Sequence, residues 1–236
     1  MASEKKEYFG KDLEAMSFAN NYHRWIVSEF SPYLGAHVAE VGAGIGNFSE
    51  FLLQAGAQQL STFEPSSNMY PALEEKFSQI SNVDTYNCFF EETSEKFVAT
   101  FDAVAYVNVL EHIENDRLAL EHAHQTLKQN GRLLIFVPAL KFLYSELDRK
   151  VGHFRRYTKQ ELIDVVSLAG FRIDEVKYFD VMGIIPWYIA FVLLKQTTSG
   201  ANVSLYDRLV VPLMRNVEGL ATPPIGKNLL LVAHKE

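Results

Sequence analysis

The chain has 236 residues, 48% of them apolar, enough to bury one good core and better suited to a single domain with elaborations than to two. Acidic residues outnumber basic ones, 29 to 22, and a formal charge of −7 opposes nucleic-acid binding through a broad electrostatic surface. One cysteine, Cys88, excludes an intramolecular disulfide and supplies no zinc-ligand set, so the sequence assigns no metal and a reducing compartment is the default.

In chain order, Met1 to Lys11 is charged and lacks the apolar core of a signal peptide, which makes cytoplasmic the expected location. A helix is expected from about Ala15 to Tyr33, after which strand and helix alternate. The strands read as Ala36–Val41, Gln59–Glu64, Val83–Cys88, Phe101–Val107 and Arg132–Val137. Phe48, Phe51, Leu52 and Ala55 recur at helical spacing with Gly56 as a stop. Asn130-Gly131 is expected to close the helix before the fifth strand, and Pro138 to end that strand. Thr158-Lys-Gln-Glu161 reads as a capping box for a helix running to Ala169-Gly170. Strands at Phe171–Phe179 and Asn228–Ala233 bring the count to seven. The fold class is therefore α/β, a doubly wound and mostly parallel sheet with helices on both faces. Val181 to Ile225 is too long for a plain connection and should hold helices. The expected layout is one domain: residues 1–35 a helical cap, 36–180 the core, 181–225 a helical insertion and 226–236 the last strand.

Gly42, Gly44 and Gly46 stand between the first strand and the helix after it, and Glu64 ends the second strand. Glycines at such a turn let backbone approach a ligand where a Cβ would collide, and the helix start adds unpaired N–H groups. The pattern is a nucleotide-cofactor site. A dinucleotide fingerprint would put its third glycine at position 47, where this chain has Asn.

Glu40-x-Gly-x-Gly-x-Gly46, Glu64 and Asn108-Val-Leu-Glu-His-Ile113 together resemble the Rossmann-like, class I methyltransferases of the small-molecule type (types 11 and 12). The resemblance runs from Asn21 to about Tyr178. It implies S-adenosyl-L-methionine as cofactor, S-adenosyl-L-homocysteine as product, and a last strand inserted antiparallel between the fifth and sixth. It places Gly42, Ala43, Gly44 and Gly46 against the methionine and ribose, with Glu40 helping to hold the amino end. Glu64 would accept both ribose hydroxyls. Pro65 and the residues after it either edge the adenine or simply start the next helix. Many relatives carry an Asp after the third strand, whereas this chain reads Asn87-Cys-Phe-Phe-Glu91. The adenine contact then falls to the Phe89 backbone, or to Glu91 or Glu92. Cys88 reads as a small core residue rather than a nucleophile.

Asn108, Val109 and Leu110 are assigned to the cofactor side of the gap after the fourth strand, and Glu111 and His112 to the acceptor. His112 is either a general base or a packing residue. Asn21-Tyr-His-Arg-Trp25 resembles the covering helix of one bacterial-type subgroup, with Tyr22 and Arg24 meeting the methionine carboxylate. The alternative leaves Arg24 on a surface helix with Trp25 packed inward. In the loop after the fifth strand, His153, Arg155 and Arg156 lie within a basic cluster that either grips an acceptor anion or pairs with Glu146, Asp148 and Glu161. Val181 to Leu194 has no charge and is too short to span a bilayer. It is read as core or subunit interface, a greasy lid bringing Trp187 to an apolar acceptor, or a membrane-surface contact. The expected protein is a monomer or homodimer that methylates a small, anionic or lipophilic molecule; the alternative is a catalytically silent binding module of the same fold.

Overall fold

The computed structural model describes residues 19–196 and 200–236. The expected start of the first helix at Ala15 and the charged segment Met1 to Lys11 lie outside them. Seven strands form one sheet in the order β3-β2-β1-β4-β5-β7-β6. They are β1 His37–Val41, β2 Gln59–Phe63, β3 Val83–Tyr86, β4 Phe101–Val107, β5 Leu127–Pro138, β6 Phe171–Phe179 and β7 Asn228–Lys235. β7 runs antiparallel between β5 and β6, and the other pairings are parallel.

Both faces of the sheet are covered, which is why its middle strands carry apolar residues on both faces rather than on one. On β5, Leu134 and Phe136 join the core layer on one face, and Leu133, Ile135 and Val137 the layer on the other. The first layer packs under α1 (Asn20–Phe30) and α2 (Asn47–Gln54). The second packs under α4 (Asp116–Thr126) and α6 (Lys159–Leu168); α3 (Tyr70–Phe77) adds Leu73 and Phe77 to the first layer, and α5 (Glu146–Val151) precedes the loop that leads to α6.

The Thr158 box is present, its hydroxyl accepting from the Glu161 N–H while the Glu161 carboxylate accepts from the Thr158 N–H. Several boundaries differ from expectation: the first helix ends at Phe30 before a 3-10 turn at Ser31–Tyr33, the fifth strand starts at Leu127 and the last runs on to Lys235. The third strand stops at Tyr86 because Phe90–Glu92 turns into a short 3-10 segment. Asn130-Gly131 does not close α4, which ends at Thr126; both residues lie inside β5 at a bulge between the Phe101–Leu127 and Ala103–Arg132 pairs. The left-handed φ of 61° at Asn130 serves that bulge rather than a helix stop.

The segment between β6 and β7 holds α7 (Ile184–Trp187), a π-helical turn (Tyr188–Leu193), α8 (Gly200–Leu209) and α9 (Val211–Leu220). It is tied to the N-terminal helix by charge. Asp207 on α8 accepts from the Asn21 and Tyr22 N–H groups at 3.0 and 2.8 Å, satisfying donors that the N-cap residue, Ala19, has no polar side chain to cap. Asp180, at the end of β6, accepts from the Tyr22 and Tyr206 hydroxyls and pairs with Lys227 at 2.8 Å. In spite of burial, Lys227 and those bonds hold its carboxyl below the usual range. No helix among the described residues is long and apolar enough to cross a membrane.

Candidate active site

β1 is flanked by β2 and β4, so the order reverses there and a crevice opens at the carboxyl ends of β1 and β4. The turn after β1 forms one wall. Gly42, Gly44 and Gly46 have φ of 69°, 58° and 78°, a left-handed run that only glycine adopts without strain. A Cβ on Gly42 would stand 2.6 Å from Val109 Cγ2. The turn is stitched to the second strand: the Gly42 and Ala43 N–H groups donate to Phe63 O, and the Gly44 N–H donates to Glu64 Oε2 at 2.7 Å. Glu64 Oε1 accepts from the Ser66 N–H at 2.8 Å. An ionised carboxylate has about four acceptor sites, so Glu64 retains capacity for ligand hydroxyls. Beneath the turn Glu40 is buried, accepts from the Ser49 hydroxyl, and is pushed up to about 8 by burial.

A cavity of about 210 Å³ follows this crevice. Of the residues nominated for the cofactor, Tyr22, Glu40, Gly42, Ala43 and Asn108 line it, and of those nominated for the acceptor, Glu111, His112, His153, Arg156 and Trp187 do. Asn108 takes a left-handed φ of 54° where β4 gives way to the loop. Gly44, Gly46, Glu64, Pro65, Phe89, Glu91, Val109 and Leu110 are not among the residues that line it. Glu91 is pushed up by burial, and Leu110 is fully buried.

Arg24 and Arg155 are not brought to the cavity. Arg24 is exposed, with its guanidinium over the Phe51 ring. Its neighbour His23 takes the inner face with Ile26, Val27 and Phe30, lines the cavity edge-to-face with Phe48, and is lowered to about 4 by burial. The periodicity 23, 26, 27, 30 was available in the sequence and points His23 inward. Arg155 pairs with Asp116 at 2.6 Å and donates to Glu114 O. Arg156 does reach the wall, but its Nε donates to Asp148 Oδ1 at 2.9 Å and its Nη1 to Ala139 O, while its guanidinium lies 4.7 Å from the Trp187 ring centre. Both arginines thus have protein partners, as does Arg149, which pairs with Glu146. Lys227, which sequence reasoning missed, lines the cavity within reach of the Trp187 ring.

The end of the cavity nominated for the acceptor is dominated by buried ionisable groups. Glu111 and His112 sit on a 3-10 turn, Leu110–His112, after β4, and the Phe154 N–H donates to Glu111 O at 2.8 Å, fastening the loop after α5 to that turn. His153 Nδ1 lies 2.9 Å from Asp148 Oδ1, and its Nε2 lies 3.9 Å from Glu111 Oε1. Burial would raise Asp148, but the His153 bond and the Arg156 charge hold it below the carboxylate range. Ionised Asp148 can only accept, so Nδ1 is the donor in that bond, and Nε2 faces Glu111. Glu111 is wholly buried and pushed up by burial to about 7. Burial, and next the neighbouring His153, lower His112 to about 3, so it is neutral near physiological pH and a weak base.

The glycine turn, the acid ending β2 and the sheet order are those of the class I, Rossmann-like methyltransferase fold. Residues 39–133 match the family described as a methyltransferase domain. The chain is 30% identical to the mitochondrial ubiquinone biosynthesis O-methyltransferase of Rattus norvegicus over 107 residues, 44% of this chain and 31% of that protein. It spans about a third of the length of the curated relatives it matches. Its fold is similar to an S-adenosylmethionine-dependent methyltransferase from Archaeoglobus fulgidus, with a TM-score of 0.65, 17% identity and coverage of 94% of this chain and 98% of the other. Phosphoethanolamine N-methyltransferase 2 of Haemonchus contortus, solved with S-adenosyl-L-methionine, gives 0.62 at 19% identity, covering 91% of this chain and 52% of that one.

Proposed function

We propose that the chain transfers the methyl group of S-adenosylmethionine to an oxygen of a small, largely apolar acceptor held in the cavity. The observation that carries this reading is the meeting in one cavity of the glycine turn with Glu111, His112 and His153. S-adenosylmethionine supplies an electrophilic methyl on a sulfonium. The chain's residues bind, orient and exclude water, and positioning of this kind can lower the barrier without a strong base. Gly42, Ala43 and Asn108 would hold the cofactor side with Glu64 behind them. Leu147, Val151 and Trp187, which line the far side, suit an apolar body. The internal pairing of Arg155 and Arg156 favours a lipophilic acceptor over an anionic one, and the O-methyltransferase relatives favour oxygen as the acceptor atom.

The test is turnover with methyl-labelled S-adenosylmethionine against an extracted metabolite pool. Label is expected in products that partition into organic solvent. Cofactor binding without any labelled product would overturn the reading.

A further inference from the structure

We propose that Glu111, His112 and His153 form a binding site for one divalent first-row transition-metal ion at the acceptor end of the cavity. One ligand atom from each lies within 4.8 Å of the other two. Ligands about 2.1 Å from a common ion in tetrahedral geometry stand about 3.4 Å apart, so small side-chain rotations close the set. Proximity alone would not carry the proposal.

The independent observation is Glu111. Its side chain is completely buried, it faces the cavity, and neither carboxylate oxygen accepts a hydrogen bond from the described residues. Such a group is costly to keep in a folded chain unless a partner of opposite charge belongs beside it. His153 is built as a ligand. Asp148 fixes its Nδ1 at 2.9 Å and is itself held by the Ser145 N–H at 2.8 Å and by Arg156 at 2.9 Å. That is the carboxylate–histidine arrangement that orients imidazole ligands in metal proteins. His112 is steadied from behind by the backbone of Gly152 and Val151, and its ring meets His153 edge-on with centroids 4.5 Å apart.

Two imidazoles and one carboxylate suit zinc, cobalt, manganese or ferrous iron, whereas magnesium and calcium prefer all-oxygen sets. Three protein ligands leave a position open toward the cavity, where an acceptor oxygen could bind. That last role rests on the methyl-transfer reading; the metal site itself does not.

The test uses the full chain, stripped with a chelator and titrated with cobalt(II), whose visible absorption reports nitrogen and oxygen ligation. One equivalent is expected to bind, to be displaced by zinc and to resist excess magnesium. Zinc should also raise the melting temperature. Glu111→Gln and His153→Asn should each weaken cobalt binding by at least about tenfold. Glu146→Gln, an exposed acid nearby, should leave it unchanged. Calorimetry with S-adenosylmethionine shows that each variant is folded. No saturable cobalt binding by the parent chain, or undiminished binding in a folded Glu111→Gln, His153→Asn double variant, overturns the site. A parent that transfers methyl groups in excess chelator and takes up no cobalt overturns the metal and leaves methyl transfer standing. One that binds cobalt but yields no labelled product does the reverse.

Discussion

The two walls of the cavity are built on different principles. The wall proposed for the cofactor is made largely by backbone, β1 running directly into a turn of left-handed glycines, with the Glu64 side chain fastened to that turn by the Gly44 N–H. The acceptor wall is assembled from the turn after β4, the loop after α5, Trp187 and Lys227, and is made by buried side-chain charges. Damage to the first should therefore appear in ligand affinity, and damage to the second in folding.

The largest effect is expected at Asp148, which is fully buried between His153 and Arg156. Asp148→Ala leaves the Arg156 charge buried without its partner, and breaking a buried pair in this way costs roughly 3–5 kcal/mol. Urea unfolding measures it. A loss below about 1 kcal/mol would mean that Arg156 is solvated or re-paired, and that the acceptor wall is softer than its burial indicates.

On the opposite wall, Glu64→Ala should weaken S-adenosylmethionine binding about ten- to a hundredfold, the consequence of removing a charged partner worth roughly 1.5–3 kcal/mol. Because Glu64 also accepts from the Gly44 and Ser66 N–H groups, the melting temperature should fall as well. Glu64→Gln keeps one acceptor oxygen and separates the two effects. Calorimetry that finds unchanged affinity in both variants would break the assignment of this wall to the cofactor.

Gly42→Ala should have a smaller effect on stability. A left-handed φ costs a non-glycine residue roughly 1–2 kcal/mol, and the new Cβ must displace Val109 from its 2.6 Å approach. Since Val109 follows Asn108, cofactor affinity should drop along with stability in thermal and calorimetric measurements. Stability lost with affinity intact would make the glycine turn a packing device.

The same contrast explains what the sequence discloses. The seven strands, the β6 limits and the Thr158 cap follow from local rules of periodicity and capping, so they are legible residue by residue, whereas the place of β7 between β5 and β6 is non-local and comes from the family resemblance. Asn130-Gly131 misleads because the signal that stops a helix also makes a bulge within a strand. Arg24 was legible in principle: helical phase puts His23 inward and Arg24 outward. The meeting of Glu111 and His112 with His153, and of His153 with Asp148, depends on how two loops pack. No spacing rule encodes it. Nor does the basic loop reveal which of its arginines the protein neutralises.

Arg155 and Arg156 make that last point testable with the smallest expected effect. They are adjacent in sequence, yet Arg156 is 2% exposed and anchored to Asp148, whereas Arg155 leans outward onto Asp116. Asp116 also accepts from the Tyr157 hydroxyl at 2.8 Å, so it retains a partner when the guanidinium is removed. A partly exposed pair of this kind is worth at most about 1 kcal/mol. Arg155→Ala should therefore shift the unfolding midpoint only slightly and leave the acceptor's Michaelis constant unchanged, because the side chain stands outside the cavity lining. A Michaelis constant raised severalfold at unchanged stability would mean that Arg155 swings from Asp116 to the acceptor. The basic loop would then act as an anion grip, and an anionic acceptor would displace the lipophilic one.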